Sequence, residues 1–434
     1  MYYITRITGI SLCKSLLFFI LASCFAVTGL AQQPALKADA VIKSDSMLQA
    51  FYTINQEPLY WFSSKKGAKR AVEWLTEIEK APQYGLVSDK LLTTQLRTAL
   101  SNWKSKDAAV KAKTDQQITG LVLNFIKDIQ EAVVPFDYDE VSAPRDSVYI
   151  YQLMNSRYKG TVSKIVSRLE CKDTEYVAFK KFLKDSITDR NTVKYRTLIL
   201  AMNYRKYLTV NGQSEYIVAN IPATEVEYYR NNKLNLKMRS VAGRKKSPTP
   251  TIASYITTIV TYPFWNVPFS IASKELLPKV QKDESYLERN NFEVVDSKGN
   301  PVDDSDLNWA DYTEKNFPYF FRESTGPNNS LGILKFNLQN PFSIYLHDTN
   351  SPAGFAKDSR FLSHGCIRLE KPAELADFLT RGKIDRYELN RGKKDTESKT
   401  IRLEQKIPVF IIYNPVTVVG GKVVFLNDVY GLIK

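Results

Sequence analysis

Residues 216–243 read YIVANIPATEVEYYRNNKLNLKMRSVAG, and this stretch decides the fold class because the chain changes texture here. It is rich in Val, Ile and Tyr, side chains that fit a pleated surface, and it is punctuated by Pro, Asn and Gly. Arg230-Asn231-Asn232-Lys233 has the composition of a hairpin turn between two strands. The same texture continues in IASYITTIVTYP (252–263) and returns in LGILKFNL (331–338), FSIYLHDT (342–349), IPVFIIYN (407–414) and GKVVFLND (421–428). A β-rich domain is expected over 212–434.

Upstream the pattern is helical. GAKRAVEWLTEIEKA (67–81), ITGLVLNFIKDIQEAV (118–133) and YVAFKKFLKDSITD (176–189) space apolar residues at three and four, with few internal Gly or Pro. An α-helical domain is expected over 39–205, broken by a loop at 135–145. Within the β-rich half, residues 273–311 interrupt the strands with the helix-like KELLPKVQKDESYLERN and the acidic turn GNPVDDSD, and PAELADFLTRG (372–382) reads as a short helix. The charged stretch 385–400 reads as a solvated connection. The fold class is therefore α+β and multidomain.

The N-terminus carries Arg6 and Lys14 without an acid, then an apolar run from Ser15 to Leu30 and a small-residue site at Gly29-Leu30-Ala31. That order is a secretory signal over 1–31, too short in its apolar core for a membrane span. A rival reading makes Leu21-Ala22-Ser23-Cys24 a lipidation site with Cys24 as the modified residue. The net charge of +14 and isoelectric point near 9.3 ask for an anionic partner, and for an exported chain that means wall polymer or membrane surface, not nucleic acid.

Of the four cysteines, Cys13 and Cys24 lie within the signal, which leaves Cys171 and Cys366. They either pair or remain free, and a free exported thiol needs a chemical reason to persist. Such a reason stands beside Cys366 in FLSHGCIRL (361–369), since both histidines of the chain, His347 and His364, fall within one short window around it. An imidazole within reach takes the proton of a thiol and returns it to a leaving amine. Gly365 allows a tight turn and close approach of a substrate carbonyl, backbone N–H groups near Cys366 can form an oxyanion hole, and Arg368 supplies a fixed cation. The competing arrangement is a zinc site of His347, His364 and Cys366 with Asp348 added. A papain-type peptidase would need a different local signature around its cysteine.

The span from Tyr345 to Leu369, with YLHDT followed after a spacer by SHGC, an apolar residue and Arg, resembles the signature of the L,D-transpeptidase catalytic domain. VANIPATEVEYYRNNK, SVAGRKKSPTPT, YPFWNVP, GPNNSLGILKFNL and FLNDVYG are similar, in order, to segments of the large periplasmic L,D-transpeptidases of Gram-negative bacteria. FYTINQEPLYW and YGLVSD resemble their scaffold domain, and 273–311 stands where the family carries a capping insertion. A small peptidoglycan-binding module, which many larger members insert, is not legible here.

The resemblance implies a periplasmic enzyme without cofactor or metal. Cys366 would attack the carbonyl of the third stem-peptide residue, typically diaminopimelate, and expel D-alanine. His347 would be the base, oriented by a backbone carbonyl near Asp348, and His364 and Gly365 would shape the oxyanion hole. Arg368, Ser363, Tyr345, Trp265 and Asp348 would support or line the substrate groove. The acyl-enzyme would pass to the amine of a second stem, and carbapenems would be inhibitors. Release to water, capture by another amine, or a non-catalytic wall-binding role are the alternatives.

Overall fold

The computed structural model of the chain describes residues 45–433 apart from 102–106, 144, 158, 385–388 and 390–396. The signal-peptide and Cys24 readings, and most of the charged stretch 385–400, fall outside the described residues. Helices α1 (Asp45–Asn55), α2 (Lys65–Ile78), α3 (Lys90–Ser101), α4 (Ala108–Gln130), α5 (Asp146–Ser156), α6 (Val162–Leu169), α7 (Thr174–Ser186) and α8 (Val193–Asn211) make up the first half. Their starts are written locally: Ser64, Asp107, Thr161, Asp173 and Thr192 each accept, through the side chain, a backbone N–H of the first turn. Helix α8 runs to Asn211 and feeds directly into the sheet.

The helical core is organised by one buried carboxylate. Asp115 on α4 accepts from the backbone N–H groups of Tyr60, Trp61 and Phe62 and from the Tyr52 hydroxyl. This pins the PLYW segment against α4, with Tyr60 and Trp61 fully buried. A buried carboxylate holding several backbone donors both satisfies itself and orders the loop that supplies them.

The second half is a sheet. The strands are β1 (Tyr138–Asp139), β2 (Glu215–Asn220), β3 (Glu225–Arg230), β4 (Lys233–Gly243) and β5 (Ile252–Thr261). After β6 (Trp265–Asn266), β7 (Phe292–Val295) and β8 (Phe320–Glu323) come β9 (Leu334–Leu338), β10 (Tyr345–His347), β11 (Phe361–Ser363), β12 (Ile367–Leu369), β13 (Lys399–Ile412), β14 (Val416–Val419) and β15 (Lys422–Phe425). The pairing order β5-β13-β2-β3-β4-β12-β10-β9 closes, because β9 also pairs with β5. Closure removes exposed edges and leaves an inside and an outside. Ile217, Val226, Tyr228, Leu236, Ile256, Phe336, Leu346, Ile367, Leu369, Val409 and Ile411 share one apolar cluster, joined by Leu375, Ala376 and Leu379 of the helix Pro372–Thr380.

Two expectations change in detail. The 135–145 loop contributes β1, which pairs in parallel with β5 through Tyr138↔Ile252, so it belongs in part to the sheet. The insertion is wider and more mixed than a helical 273–311 segment. It begins at β6 and ends at β8, where β6, β8 and β7 form their own three-stranded sheet. Short helices (Phe269–Ile271, Leu277–Lys282, Tyr286–Arg289) and a π-turn at Ala272–Leu276 lie between β6 and β7. Val267, Leu277, Val280, Val294, Trp309, Phe317 and Phe321 give it a separate core. Its strands are only two to four residues long, too short for a periodic signal in sequence. No helix of the described residues is long and apolar enough to cross a membrane.

Candidate active site

Register builds the site. Strand β10 pairs in parallel with β12, Leu346 against Ile367 and His347 against Arg368, and antiparallel with β9, Leu346 against Phe336 and His347 against Lys335. Successive side chains of a strand point to opposite faces. Leu346, Phe336, Ile367 and Leu369 take the inner face and are at most 1% exposed. Tyr345, His347, Lys335 and Arg368 therefore share the outer face, and Cys366, one residue before β12, continues it beside Tyr345.

The turn that delivers Cys366 is held from several sides. Gly365 has φ 124° and sits where a Cβ would press on Ile344, so the position asks for glycine. The Ser363 hydroxyl donates to the Cys366 carbonyl at 2.6 Å and accepts the Gly365 N–H at 3.2 Å. The Thr249 hydroxyl donates to the Gly365 carbonyl, and the Tyr430 hydroxyl donates to the Gly243 carbonyl on the strand behind. Thus the SPTPT and NDVYG segments meet beneath the SHGC turn.

Partial burial sets the electrostatics of the site. Burial pushes the Cys366 thiol up to about 11, against the opposing pull of Tyr345, Lys335 and Arg368. Burial also pushes the His347 imidazole down to about 3, and the charges of Arg368 and Lys335 act in the same direction. Both groups are neutral at pH 7. The thiol donates to the Ser343 carbonyl at 3.7 Å, while His347 Nδ1 is buried without a hydrogen bond of normal geometry, beside the backbone of Asp348 and Leu331.

The remaining predicted residues fall into distinct places. Tyr345 borders Cys366, its hydroxyl pushed well above the usual range by burial, with the Trp265 indole acting on it from the insertion. Trp265 itself lies in β6 against Phe292. His364 is exposed and its Nε2 meets Glu275 Oε1 at 2.8 Å, a contact with the π-turn of the insertion. Asp348 is 1% exposed, and its Oδ2 accepts the Ile333 N–H at 3.0 Å over Gly332. Its carboxylate thus serves the turn before β9, not a substrate groove. Ser363 is likewise buried in its own turn. The Gly365 N–H expected in an oxyanion hole donates instead to the Ser363 hydroxyl.

Cys171 and Cys366 are both free, and Cys171 lies buried on the helical side near Thr209, so the pairing alternative does not hold. Among the described residues no group of three or more His, Cys, Asp and Glu could hold a metal. Sequence reading passed over Lys335, whose only signal was its place in a short apolar strand, and Asn340. The Asn340 side chain accepts the N–H groups of Phe342 and Ile344 and donates to the Leu338 and Ile344 carbonyls, shaping the loop that brings Ser343 to the thiol.

Comparison with known proteins assigns the two halves of the chain to domains. Residues 214–405 match the family model of the L,D-transpeptidase catalytic domain, YkuD, and residues 46–183 match a scaffold domain. A putative L,D-transpeptidase of Haemophilus influenzae is 35% identical over 235 residues, covering 54% of this chain and 47% of the relative. The chain thus matches about half the length of that relative. Among solved structures, L,D-transpeptidase 3 from Mycobacterium tuberculosis is 14% identical over 46% of this chain and 61% of that one, with TM-score 0.22. The catalytic domain of the E. faecium L,D-transpeptidase acylated by ertapenem is 13% identical over 46% and 97%, with TM-score 0.22; likenesses this low add no weight. The two matches give the chain an L,D-transpeptidase catalytic domain over residues 214–405, carried behind a scaffold domain over residues 46–183.

Proposed function

We propose that this chain is a periplasmic peptidoglycan L,D-transpeptidase that joins third-position diaminopimelate residues through an acyl-enzyme on Cys366, with release of D-alanine. The observation that carries the reading is the shared outer face of β10 and β12, which sets His347 and Cys366 as diagonal neighbours on rigid strands. The neutral imidazole has the free lone pair a base needs, and because its resting basicity is depressed the proton moves only together with attack of the sulfur on the carbonyl. As the sulfur bonds to the peptide carbonyl carbon, its proton passes to His347, the C–N bond breaks, and the departing amine takes that proton. In this reading the Cys366 N–H is the donor to the developing oxyanion. An acceptor amine then repeats the sequence in reverse, losing its proton to His347 and displacing sulfur.

Transfer over hydrolysis requires a dry acyl-enzyme, and the insertion supplies cover. Trp265 approaches Tyr345, while Glu275 joins His364 and, at 2.8 Å, the Arg244 guanidinium. The family's carbapenem chemistry gives the test. Intact mass after incubation with a carbapenem is expected to show one adduct on the wild type and none on Cys366→Ala. An unmodified wild type or a modified variant ends the reading. Muropeptide analysis after incubation with tetrapeptide-bearing strands then reads cross-linked dimer against free tripeptide.

A further inference from the structure

Lys335 belongs to no motif read from the sequence, yet pairing places it at the centre of the site. In β9 it is the register partner of His347, while its neighbours Leu334 and Phe336 are fully buried on the inner face. Its ammonium stands over the Tyr345 ring, 4.2 Å from the centroid. On the opposite flank of His347 the register partner is Arg368 of β12. The histidine therefore has a cation on each neighbouring strand.

Neither cation is matched. Among the described residues Lys335 and Arg368 form no ion pair, and Arg368 Nε is buried without a hydrogen-bond partner. Burial pulls both below their ordinary ranges, and only a charged Cys366 sulfur would oppose it. The resting thiol is protonated and gives its hydrogen to the Ser343 carbonyl, so it does not neutralise them. Two partly desolvated cations without a counter-ion are costly to keep, and they suit an anion that arrives with the substrate. The planar guanidinium fork fits a carboxylate, and the ammonium held over an aromatic ring retains its N–H groups for the same ligand.

We propose that Lys335 and Arg368 form a carboxylate subsite beside Cys366, with Lys335 as its specificity-determining residue, and that it reads the α-carboxylate on the amine side of the exchanged amide bond. This rests on the transpeptidase reading. In acylation the carboxylate is that of the terminal D-alanine, which stays on the released amino acid and leaves the subsite free. In the second half-reaction an acceptor that is itself an α-amino acid centre brings the same pairing of amine and carboxylate, so one subsite serves both directions.

The test compares a stem tetrapeptide carrying a free C-terminal carboxylate with the same peptide as its C-terminal amide, using the full chain as wild type, Lys335→Met and Lys335→Arg. Wild type is expected to favour the carboxylate donor in kcat/KM by about 100-fold, the scale of charge-assisted hydrogen bonds. In Lys335→Met that preference falls below about 10-fold, with most of the loss in KM, and Lys335→Arg restores most of it. A wild type that treats the two donors alike overturns the proposal without any variant. So does a Lys335→Met enzyme that slows both equally, since this places the residue's effect on the thiol or the fold. A wild type inert toward both donors that also forms no carbapenem adduct refutes the underlying transpeptidase reading instead.

Discussion

A thiol pushed up to about 11 next to an imidazole pushed down to about 3 defines the resting chemistry of Cys366 and His347. Only about one thiol in ten thousand is ionised at pH 7 under such a shift. Alkylation of Cys366 by iodoacetamide is expected to rise roughly tenfold per pH unit from 7 to 10, followed by the mass of the peptide containing it; a plateau below pH 8 contradicts a raised thiol. The depressed imidazole has a consequence for stability. The unfolded chain takes up a proton below about 6.5 that the folded chain refuses until about 3, so His347 costs stability as pH falls through that window. His347→Gln should slow carbapenem acylation by about 10²–10⁴-fold, and should flatten the loss of thermal stability between pH 6 and 4. An acylation rate within a few fold of wild type would remove His347 from the chemistry. Gly332 is the other residue with little freedom, at φ 61° with a Cβ position 2.4 Å from Asp348 Cγ. Gly332→Ala is expected to cost about 3 kcal/mol or more in denaturant melts, because it strains the backbone and displaces the carboxylate that holds Ile333.

At the level of elements, the hairpin at Asn231-Asn232 and the inserted cap make separate predictions. Both asparagines have positive φ, 53° and 58°, between β3 and β4, the conformation of a two-residue turn matched to strand twist. Asn232→Val should destabilise by about 1–2 kcal/mol and Asn232→Gly by none. Equal melting curves for all three forms would mean that the turn does not set the register. The cap meets the SHGC turn through Glu275, which takes His364 on one side and Arg244 on the other. All three side chains are more than a third exposed, so the pair adds little to global stability, but it decides how the cap sits. Glu275→Ala is expected to leave the melting midpoint nearly unchanged and to raise the hydrolysed fraction of acyl-enzyme severalfold over the cross-linked fraction. An unchanged product ratio argues that the cap closes without this contact.

Over the whole molecule, the helical half and the sheet are joined by buried polar contacts as well as apolar ones. Arg205 of α8 is 6% exposed and pairs with Asp173 and Glu175. Glu175 also accepts the Val418 N–H and the Thr417 hydroxyl of the C-terminal hairpin β14–β15. Lys206, fully buried, donates to the Asp128 carbonyl at the end of α4. Asp115 is the anchor within the helices, and Asp115→Ala leaves three backbone N–H groups without their acceptor. A loss of about 3 kcal/mol or more is expected, measured by calorimetry on the full chain; a variant that melts with the wild type would show that the PLYW segment is held by packing alone.

Fold class was legible in the sequence because apolar spacing at three and four, and β-branched strand texture, depend on neighbours a few residues away. The hairpin at 231–232 was legible for the same reason. The insertion's two- to four-residue strands were not, since so few residues carry no period. Within the site, Cys366, Gly365 and the histidine pair were visible through rarity and spacing alone.

What the sequence by itself determined is which groups can react, one thiol with two imidazoles near it in the chain. Tertiary structure decided which of those groups share a face. His364, two residues from the thiol, turns to Glu275 on the cap, whereas His347, on an earlier strand, shares the outer face with Cys366 through β10–β12 pairing. Lys335 arrives from a third strand and could not be found without the register. The physical reason is that side-chain direction alternates along a strand while strand pairing is non-local, so proximity at the site is set by register across the sheet and not by distance along the chain.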